Sequence, residues 1–91
     1  MELQWTSAAL RDLTRLHAFL KDVDAHAAAQ VIKALTAAPT RLRQQPRMGE
    51  KLDQFNPREV RRILAGTYEM RYEVRESAII ILRIWHTREQ R

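Results

Sequence analysis

The spacing of the apolar residues changes from a helical period to a strand period near the middle of this 91-residue chain. Between residues 9 and 42, apolar side chains recur at intervals of three and four, which places them along one face of a helix. From residue 60 onward, apolar and charged residues alternate, which is typical of a strand with one buried face. Helices and strands that each have one apolar face bury those faces against each other. The sequence therefore predicts an α+β fold of two layers.

Two amphipathic helices are predicted in the first half of the chain. Thr6 or Ser7 suits the N-cap of the first helix, and Asp22 or Asp24 suits the boundary with the second. So short a connection folds the two helices back as an antiparallel hairpin. Pro39 falls inside the second helix, where we expect a kink rather than a break because the apolar spacing continues to residue 42.

The apolar stripe of the first helix contains Ala9, Leu13, Leu16, Leu20 and Val23, and that of the second contains Ala28, Val31, Leu35, Ala38 and Leu42. Charged residues of the first helix fall off its stripe, and we expect them to face solvent. They are Arg11, Asp12, Arg15 and Asp22.

Three strands are predicted in the second half, after a loop. Residues 46–58 contain two prolines and a glycine and are assigned to the loop. Two strands follow on either side of a turn at Gly66, and residues 78–85 begin apolar on both faces, as a central strand would. The alternation from Leu3 to Trp5 adds a short first strand, which joins an edge or sits beside the central strand. The predicted order is β-α-α-β-β-β, with the helical hairpin on a small, largely antiparallel sheet and residues 1–91 forming a single domain.

Composition restricts the classes of function. The chain has no cysteine, and no third ligand accompanies its histidines at a metal-binding spacing, so we expect no disulfide, metal or other cofactor. It has no signal peptide and no apolar run long enough for a membrane span, which predicts a cytoplasmic protein. The net charge is +5, and 13 of the 16 basic residues are arginine. This indicates an acidic partner or a nucleic acid, unless a GC-rich coding bias explains the arginines.

Short motifs recur along the whole chain in a fixed order. They are Trp5, Thr6, Ala9, Asp12 and Leu13, then Pro46 and Gly49, then Tyr68, Tyr72 and Val74, then residues 79–84 with Trp85, His86 and Arg88. In this order and spacing the sequence resembles the RelE/ParE superfamily of type II toxin–antitoxin toxins. That superfamily has Trp-[Ser/Thr] after the first strand, Pro-x-x-Gly after the second helix, Tyr-x-x-x-Tyr-x-Val, and an aliphatic strand ending in His-x-Arg. The resemblance implies the RelE/ParE-like fold.

The resemblance also implies one of three functions. ParE-like toxins inhibit DNA gyrase, stabilise plasmids and are neutralised by a cognate antitoxin. RelE-like toxins are ribosome-dependent mRNA endoribonucleases, and a degenerate, non-toxic homologue would only bind the antitoxin. RNA cleavage needs a base, an acid and a cation, and the resemblance leaves His86, Arg88 and Arg83 for these roles. Leu64 stands where the nucleases have a basic residue, and no tyrosine follows Tyr72. The ending therefore favours the ParE-like branch, which acts by binding rather than by catalysis.

An antitoxin groove is predicted on the helices. Their stripes are wider than a two-layer core requires, so the additional apolar residues Leu10, Phe19 and Ile32 are assigned to this groove. The resemblance implies that the antitoxin is acidic and partly disordered, that it forms a hetero-oligomer with the toxin, and that operator DNA is contacted only through it. An acidic partner suits the positive charge of this chain.

A second set of residues is predicted to contact the target or a partner. Two alternatives stay open for this set. The strand arginines could instead form salt bridges with Glu59, Glu69 and Glu73, and His86 could hydrogen-bond a terminal backbone group. The predicted contact residues are Arg61, Arg71, Arg83, His86, Arg88 and Arg91.

Overall fold

The computed structural model describes residues 1–89. Its elements are β1 (Glu2–Trp5), α1 (Ser7–Lys21), α2 (Ala25–Leu42), β2 (Glu50–Lys51), a one-turn 3-10 helix (Asp53–Phe55), β3 (Val60–Ala65), β4 (Tyr68–Val74) and β5 (Ala78–His86). The predicted order β-α-α-β-β-β and the α+β class are confirmed, with the helical hairpin packed on one face of the sheet. The two-residue strand β2 is the element that the prediction lacks.

The five strands form one sheet in the order β1-β5-β4-β3-β2. β1 pairs with β5 in parallel, and the other three pairs are antiparallel. The first strand therefore takes both of the places that the sequence left open, because it is an edge strand and also the neighbour of the apolar strand β5. β5 is paired on both sides along residues 78–81, which explains why it is apolar on both faces there.

The prediction of a loop throughout residues 46–58 was wrong. Glu50 and Lys51 pair with Arg62 and Arg61 of β3, and the Asp53–Phe55 turn follows. Two residues are too few to show an alternating pattern, so only the pairing with β3 reveals this strand.

Polar side chains fix the ends of both helices. The Thr6 hydroxyl accepts a hydrogen bond from the Ala9 amide (3.0 Å), and the Asp24 carboxylate accepts from the amides of His26 and Ala27. α1 ends at Lys21, so Val23 lies in the turn between the helices and is largely exposed. The prediction that Val23 belongs to the apolar stripe of the first helix was wrong. α2 runs through Pro39 to Leu42 without a break.

The core lies between the helical hairpin and one face of the sheet. β4 contributes Tyr68, Met70, Tyr72 and Val74, which alternate with residues of the opposite face as the period of two requires. The other buried members of this core are Ala9, Leu16, Leu35, Ala38, Leu42, Ile63, Ile79, Ile81 and Ile84. Within residues 1–89, neither helix is long and apolar enough to cross a membrane.

Tyr72 and Gly49 explain one of the motifs. The Tyr72 hydroxyl donates a hydrogen bond to the Pro46 carbonyl (2.8 Å) and accepts one from the Gly49 amide (3.0 Å). A Cβ on Gly49 would lie 2.6 Å from both the Arg62 carbonyl oxygen and the Tyr72 hydroxyl, so only glycine fits between them. The Pro-x-x-Gly motif and the second tyrosine therefore form one clamp, which fixes the segment between α2 and β2.

Candidate functional site

A cavity of about 720 Å³ opens between the C-terminal half of α1 and the ends of β4 and β5. α1 contributes the apolar side chains Leu16, Phe19 and Leu20, and the strands contribute Tyr68 and His86. Phe19 is 68% exposed although it borders the cavity, so the protein leaves a large aromatic side chain without full burial. Charged residues complete the lining, and these are Arg15, Arg88 and Glu89.

The cavity borders a stretch of β5 that has no strand beside it. β1 ends at Trp5, so the outer edge of β5 loses its strand partner after Ile81. Side chains replace the missing strand. The Thr6 hydroxyl lies 3.0 Å from the carbonyl oxygens of both Ile81 and Leu82, and the carboxylate of Asp12 accepts a hydrogen bond from the Ile84 amide (2.8 Å). Buried backbone groups need such partners, so these contacts close the edge of the sheet.

Asp12 is buried, which contradicts the prediction that it faces solvent. It is 4% exposed and accepts hydrogen bonds from the Arg83 guanidinium at 2.8 and 3.2 Å as well as from Ile84. Burial raises the pKa of Asp12, but the hydrogen bonds from Arg83 and Ile84 and the charge of Arg83 outweigh it and leave the pKa below its ordinary value. A carboxylate off the apolar stripe is buried here because the open edge of β5 supplies donors for it.

Arg15 joins this edge to the C-terminal end of the described chain. Its guanidinium lies 3.0 Å from the Glu89 carboxylate, 3.5 Å from Asp12 and 3.4 Å from the Ile84 carbonyl oxygen. Glu89 also accepts a hydrogen bond from the His86 amide at 3.3 Å. Glu89 thus continues the capping of the β5 edge that Asp12 begins, but 28% of its side chain is exposed against 5% for Asp12.

His86 and Tyr68 meet on the strand side of the cavity. Their rings pack edge to face with centroids 5.2 Å apart, and the His86 Nδ1 accepts a hydrogen bond from the Arg88 amide at 3.1 Å. The neutral imidazole therefore carries its proton on Nε2. Burial raises the pKa of the Tyr68 phenol, and the Glu89 carboxylate raises it further. The Tyr68 hydroxyl forms no hydrogen bond with any residue from 1 to 89.

Arg62, Arg71 and Arg83 lie on the outer face, by which we mean the sheet face turned away from the helices, whereas Arg61 lies on the same side of the sheet as its partner Tyr72. Glu69 is buried there between Arg62 (3.2 Å) and Arg71 (2.9 Å). The guanidinium groups of Arg71 and Arg83 lie 4.7 and 5.0 Å from the centre of the Trp85 ring. These arginines are therefore engaged in contacts inside the fold.

Two further carboxylates of this region have displaced pKa values. The hydrogen bond from Arg61 lowers the pKa of Glu59, and that from Arg58 lowers the pKa of Glu73, in each case against the effect of burial. Arg61 also donates to the Gly49 carbonyl at 2.8 Å, so its guanidinium has a backbone partner besides Glu59. The alternative that the strand arginines form internal salt bridges is confirmed for Arg61, which pairs with Glu59, and for Arg71, which pairs with Glu69. Arg83 instead pairs with Asp12 of α1 and not with a glutamate of the strands.

Comparison with known proteins identifies the family. The sequence model for the ParE toxin of the type II toxin-antitoxin system parDE matches residues 3–91. The chain belongs to this ParE toxin family. A solved structure described as the chromosomal ParDE TA system from P. aeruginosa has a similar fold, with a TM-score of 0.79 and 22% identity over 94% of this chain and 95% of that one. No curated protein matches the sequence significantly.

The family motifs occupy structural positions in this ParE toxin. Thr6 caps α1 and closes the β5 edge, Asp12 pairs with Arg83 at that edge, and Tyr72 clamps the Pro46 to Gly49 segment. These contacts are internal to the fold. The motifs therefore stabilise the fold of a ParE toxin and do not by themselves indicate where it binds a partner.

The structure brings together only part of the predicted site. His86, Arg88 and Phe19 border the cavity, whereas Arg83 does not, because its guanidinium is held by Asp12. Arg83 and His86 leave β5 on opposite faces, since they are three residues apart on a strand. Arg61 and Arg71 are also away from the cavity lining. Arg91 lies outside the described residues.

The three groove residues do not share one surface. Phe19 borders the cavity, but positions 10 and 19 of α1 differ by a rotation of about 180°, so Leu10 points to the other flank of the stripe. Leu10 is 51% exposed, and Ile32 belongs to α2 and does not line the cavity. The prediction named neither Arg15 nor Glu89 as a site residue. Their pairing joins residues 74 positions apart, which no local pattern reveals.

Among residues 1–89, no group of three or more histidine, cysteine, aspartate or glutamate side chains could hold a metal ion.

Proposed function

We propose that this ParE toxin inhibits DNA gyrase by binding to it in the cytoplasm and is held inactive by a cognate antitoxin. The observation that carries the proposal is the match of the ParE toxin family along nearly the whole chain, residues 3–91. The family description places its members in a toxin–antitoxin system, which requires a neutralising partner. The net charge of +5 supports an acidic partner.

The geometry removes one of the three groups that RNA cleavage would need, which is in line with action by binding. Of the three groups that a nuclease reading needs, the Arg83 guanidinium is engaged by Asp12 and stacked on Trp85. The Nδ1 of His86 is occupied by the Arg88 amide. A phosphorane would need a free cation and a free acid or base close together. Arg83 therefore cannot supply the free cation, and Arg88 and the Nε2 of His86 are what this set leaves for the cation and the acid or base.

Expression of the chain without an antitoxin tests the proposal. We expect growth arrest, induction of a DNA-damage reporter, and loss of supercoiling by purified gyrase when the purified chain is added. Intact supercoiling together with ribosome-dependent cleavage of mRNA would replace the proposal with the endoribonuclease alternative. Harmless expression of a folded chain would instead indicate a homologue that only binds an antitoxin.

Arg88→Ala tests whether the C-terminal end takes part. The Arg88 side chain forms no ion pair within residues 1–89, so its removal should leave the fold unchanged. We expect toxicity to fall about tenfold or more in the inducer concentration needed for growth arrest, as for a charged contact at an interface. Arg41→Ala, an exposed arginine of α2, is the matched control and should stay toxic. Equal toxicity of both variants would remove Arg88 from the interface.

A further inference from the structure

The outer edge of β1 carries backbone groups that the fold does not use. The amides of Glu2 and Thr6 donate to carbonyl groups on the β5 side, at 2.9 and 3.1 Å. Alternate residues of a strand point their N–H and C=O groups to the same side, so those of Leu3 and Trp5 point away from β5. Within residues 1–89, no strand lies on that side. β1 therefore presents two N–H and two C=O groups to a further strand.

The two edges of the sheet differ in their protection against such pairing. β2 forms the opposite edge, and both of its residues, Glu50 and Lys51, are charged and exposed. Charged residues on an edge strand are a common way of preventing edge-to-edge association. β1 has a single charged residue at its start, and its Leu3 and Trp5 side chains are only partly buried against the core. The edge at β1 is therefore the one that is open to a second strand.

A second copy of β1 fits this edge in an antiparallel arrangement with a two-fold axis at Gln4. In that register Leu3 of each copy lies opposite Trp5 of the other. Both residues have outward N–H and C=O groups, so each pair exchanges two hydrogen bonds and the two pairs use every free group of the edge. The edge is therefore complementary to itself, as a two-fold interface requires.

The side chains of β1 agree with this register. Leu3 and Trp5 are in register with core residues of β5 and lie on the helix side, so each aliphatic side chain meets an aromatic one of the other copy. On the outer face Gln4 lies opposite its own copy, and Glu2 lies opposite Thr6, so no like charges meet. Residues 1–10 contain no lysine or arginine, which lets a chain of net charge +5 approach its copy here.

We infer that two copies of the chain associate through the outer edges of their β1 strands, which joins the two five-stranded sheets into one. The contact is small, so we expect a dissociation constant on the order of 10–100 µM. No residue of β1 lines the cavity beside α1, so this association does not use the groups of that site. The inference is independent of the proposed function, because it needs neither gyrase nor an antitoxin.

Sedimentation equilibrium of the purified full chain at low ionic strength, from well below to well above that constant, tests the inference. The average mass should rise from the 10.7 kDa of one chain toward twice that value. Gln4→Lys and Gln4→Glu each place like charges opposite each other at the axis and should weaken association about tenfold or more. An equimolar mixture of the two variants should associate more tightly than either alone, because lysine then faces glutamate. Gln54→Lys and Gln54→Glu change an exposed residue next to β2 and are the matched controls, which should associate as the unmodified chain does.

Hydrogen exchange measured by NMR locates the contact in the unmodified chain. The amides of Leu3 and Trp5 should exchange more slowly as the protein concentration rises, whereas the Glu2 amide, which is already bonded within the chain, should change little. A mass that stays at one chain, a mixture no tighter than either Gln4 variant, or equal weakening in the Gln54 variants would overturn the inference. So would a dimer in which the exchange of Leu3 and Trp5 does not depend on concentration, because it would form through another surface. Circular dichroism of each variant separates loss of association from loss of the fold.

Discussion

The outer face of the sheet and the cavity beside α1 use charge in opposite ways. On the outer face, Glu69 is buried between two arginines, and the guanidinium groups of Arg71 and Arg83 lie 4.7 and 5.0 Å from the centre of the Trp85 ring. At the cavity, Phe19 is exposed, and Glu89, the one carboxylate among the lining residues within 1–89, is partly open to solvent. The number of arginines therefore does not locate a binding surface. Groups that the fold leaves unsatisfied are the better indicator.

Two carboxylates at the open edge of β5 differ in the same way, one being buried and the other partly exposed. Asp12 and Glu89 each accept a hydrogen bond from a free amide of β5, at Ile84 and His86, and each pairs with an arginine. Asp12 is buried and comes from a helix, whereas Glu89 is partly exposed and follows the strand. Burial makes the first contact part of the fold, and exposure leaves the second available for exchange.

Asp12→Ala should have the largest effect on stability. It leaves the Arg83 guanidinium and the Ile84 amide without their acceptor in a buried position, so we expect the free energy of unfolding to fall by about 3–5 kcal/mol. Urea denaturation followed by circular dichroism measures the loss. Asp22→Ala, which removes an exposed aspartate at the end of α1, is the control and should change little. A loss below about 1 kcal/mol for Asp12→Ala would mean that the β5 edge is closed without it.

The next largest difference is expected between one aromatic residue of the outer face and one of the cavity. Trp85→Ala removes a buried ring from the outer face and should lower the free energy of unfolding by about 3 kcal/mol. Phe19→Ala removes an exposed ring at the cavity and should change it by no more than about 0.5 kcal/mol. Parallel thermal melts of both variants measure the difference. Similar losses in the two would show that the cavity side chains belong to the core.

Acid should weaken the outer region and the β5 edge selectively. The pKa values of Asp12, Glu59 and Glu73 are lower in the folded chain than their ordinary values. The unfolded chain therefore takes up protons first. The stability from these groups is complete above their unfolded pKa values of about 4 and is lost as the pH falls through them toward the folded values. Urea denaturation between neutral and acid pH measures this fall, and Asp12→Asn should reduce its steepness. A steepness equal to that of the unmodified chain would contradict the role of Asp12.

Glu89→Gln should have only a small effect on stability. The pair with Arg15 is partly exposed, so its loss should lower the free energy of unfolding by less than about 1 kcal/mol. The same variant should increase hydrogen exchange at the His86 amide, because the side-chain acceptor is weaker. Hydrogen exchange measured by NMR tests both statements. A loss as large as that of Asp12→Ala would remove the distinction between the two carboxylates.

Much of the fold could be predicted because it rests on local periodicity. Thr6 and Asp24 were each one of two residues predicted for their helix boundary, and the alternation at Tyr68 and Tyr72 predicted their common face. β2 could not be predicted, since its two residues carry no pattern and it exists through pairing with β3. Val23 was assigned to the first stripe because a helical spacing can continue by chance beyond the cap that ends the helix.

The candidate site was less predictable than the fold. Phe19, His86 and Arg88 were singled out from the sequence, and the structure places all three at one cavity. Leu10 was grouped with Phe19 because both are apolar residues beyond those that a two-layer core requires, but the two side chains point in different directions from α1. Arg15 and Glu89 were missed because each reads as an ordinary surface charge.

By itself, the sequence determined the family, the order of the elements and the faces that meet in the core, because these follow from short-range spacing of residue types. Only the tertiary structure decided which charges are free. In the sequence, Asp12 and Glu89 are both single carboxylates that directly follow an arginine. The early end of β1 leaves part of the β5 edge open, and α1 lies against that edge. This arrangement buries one carboxylate and exposes the other, because burial is a property of the packed elements and not of the residue.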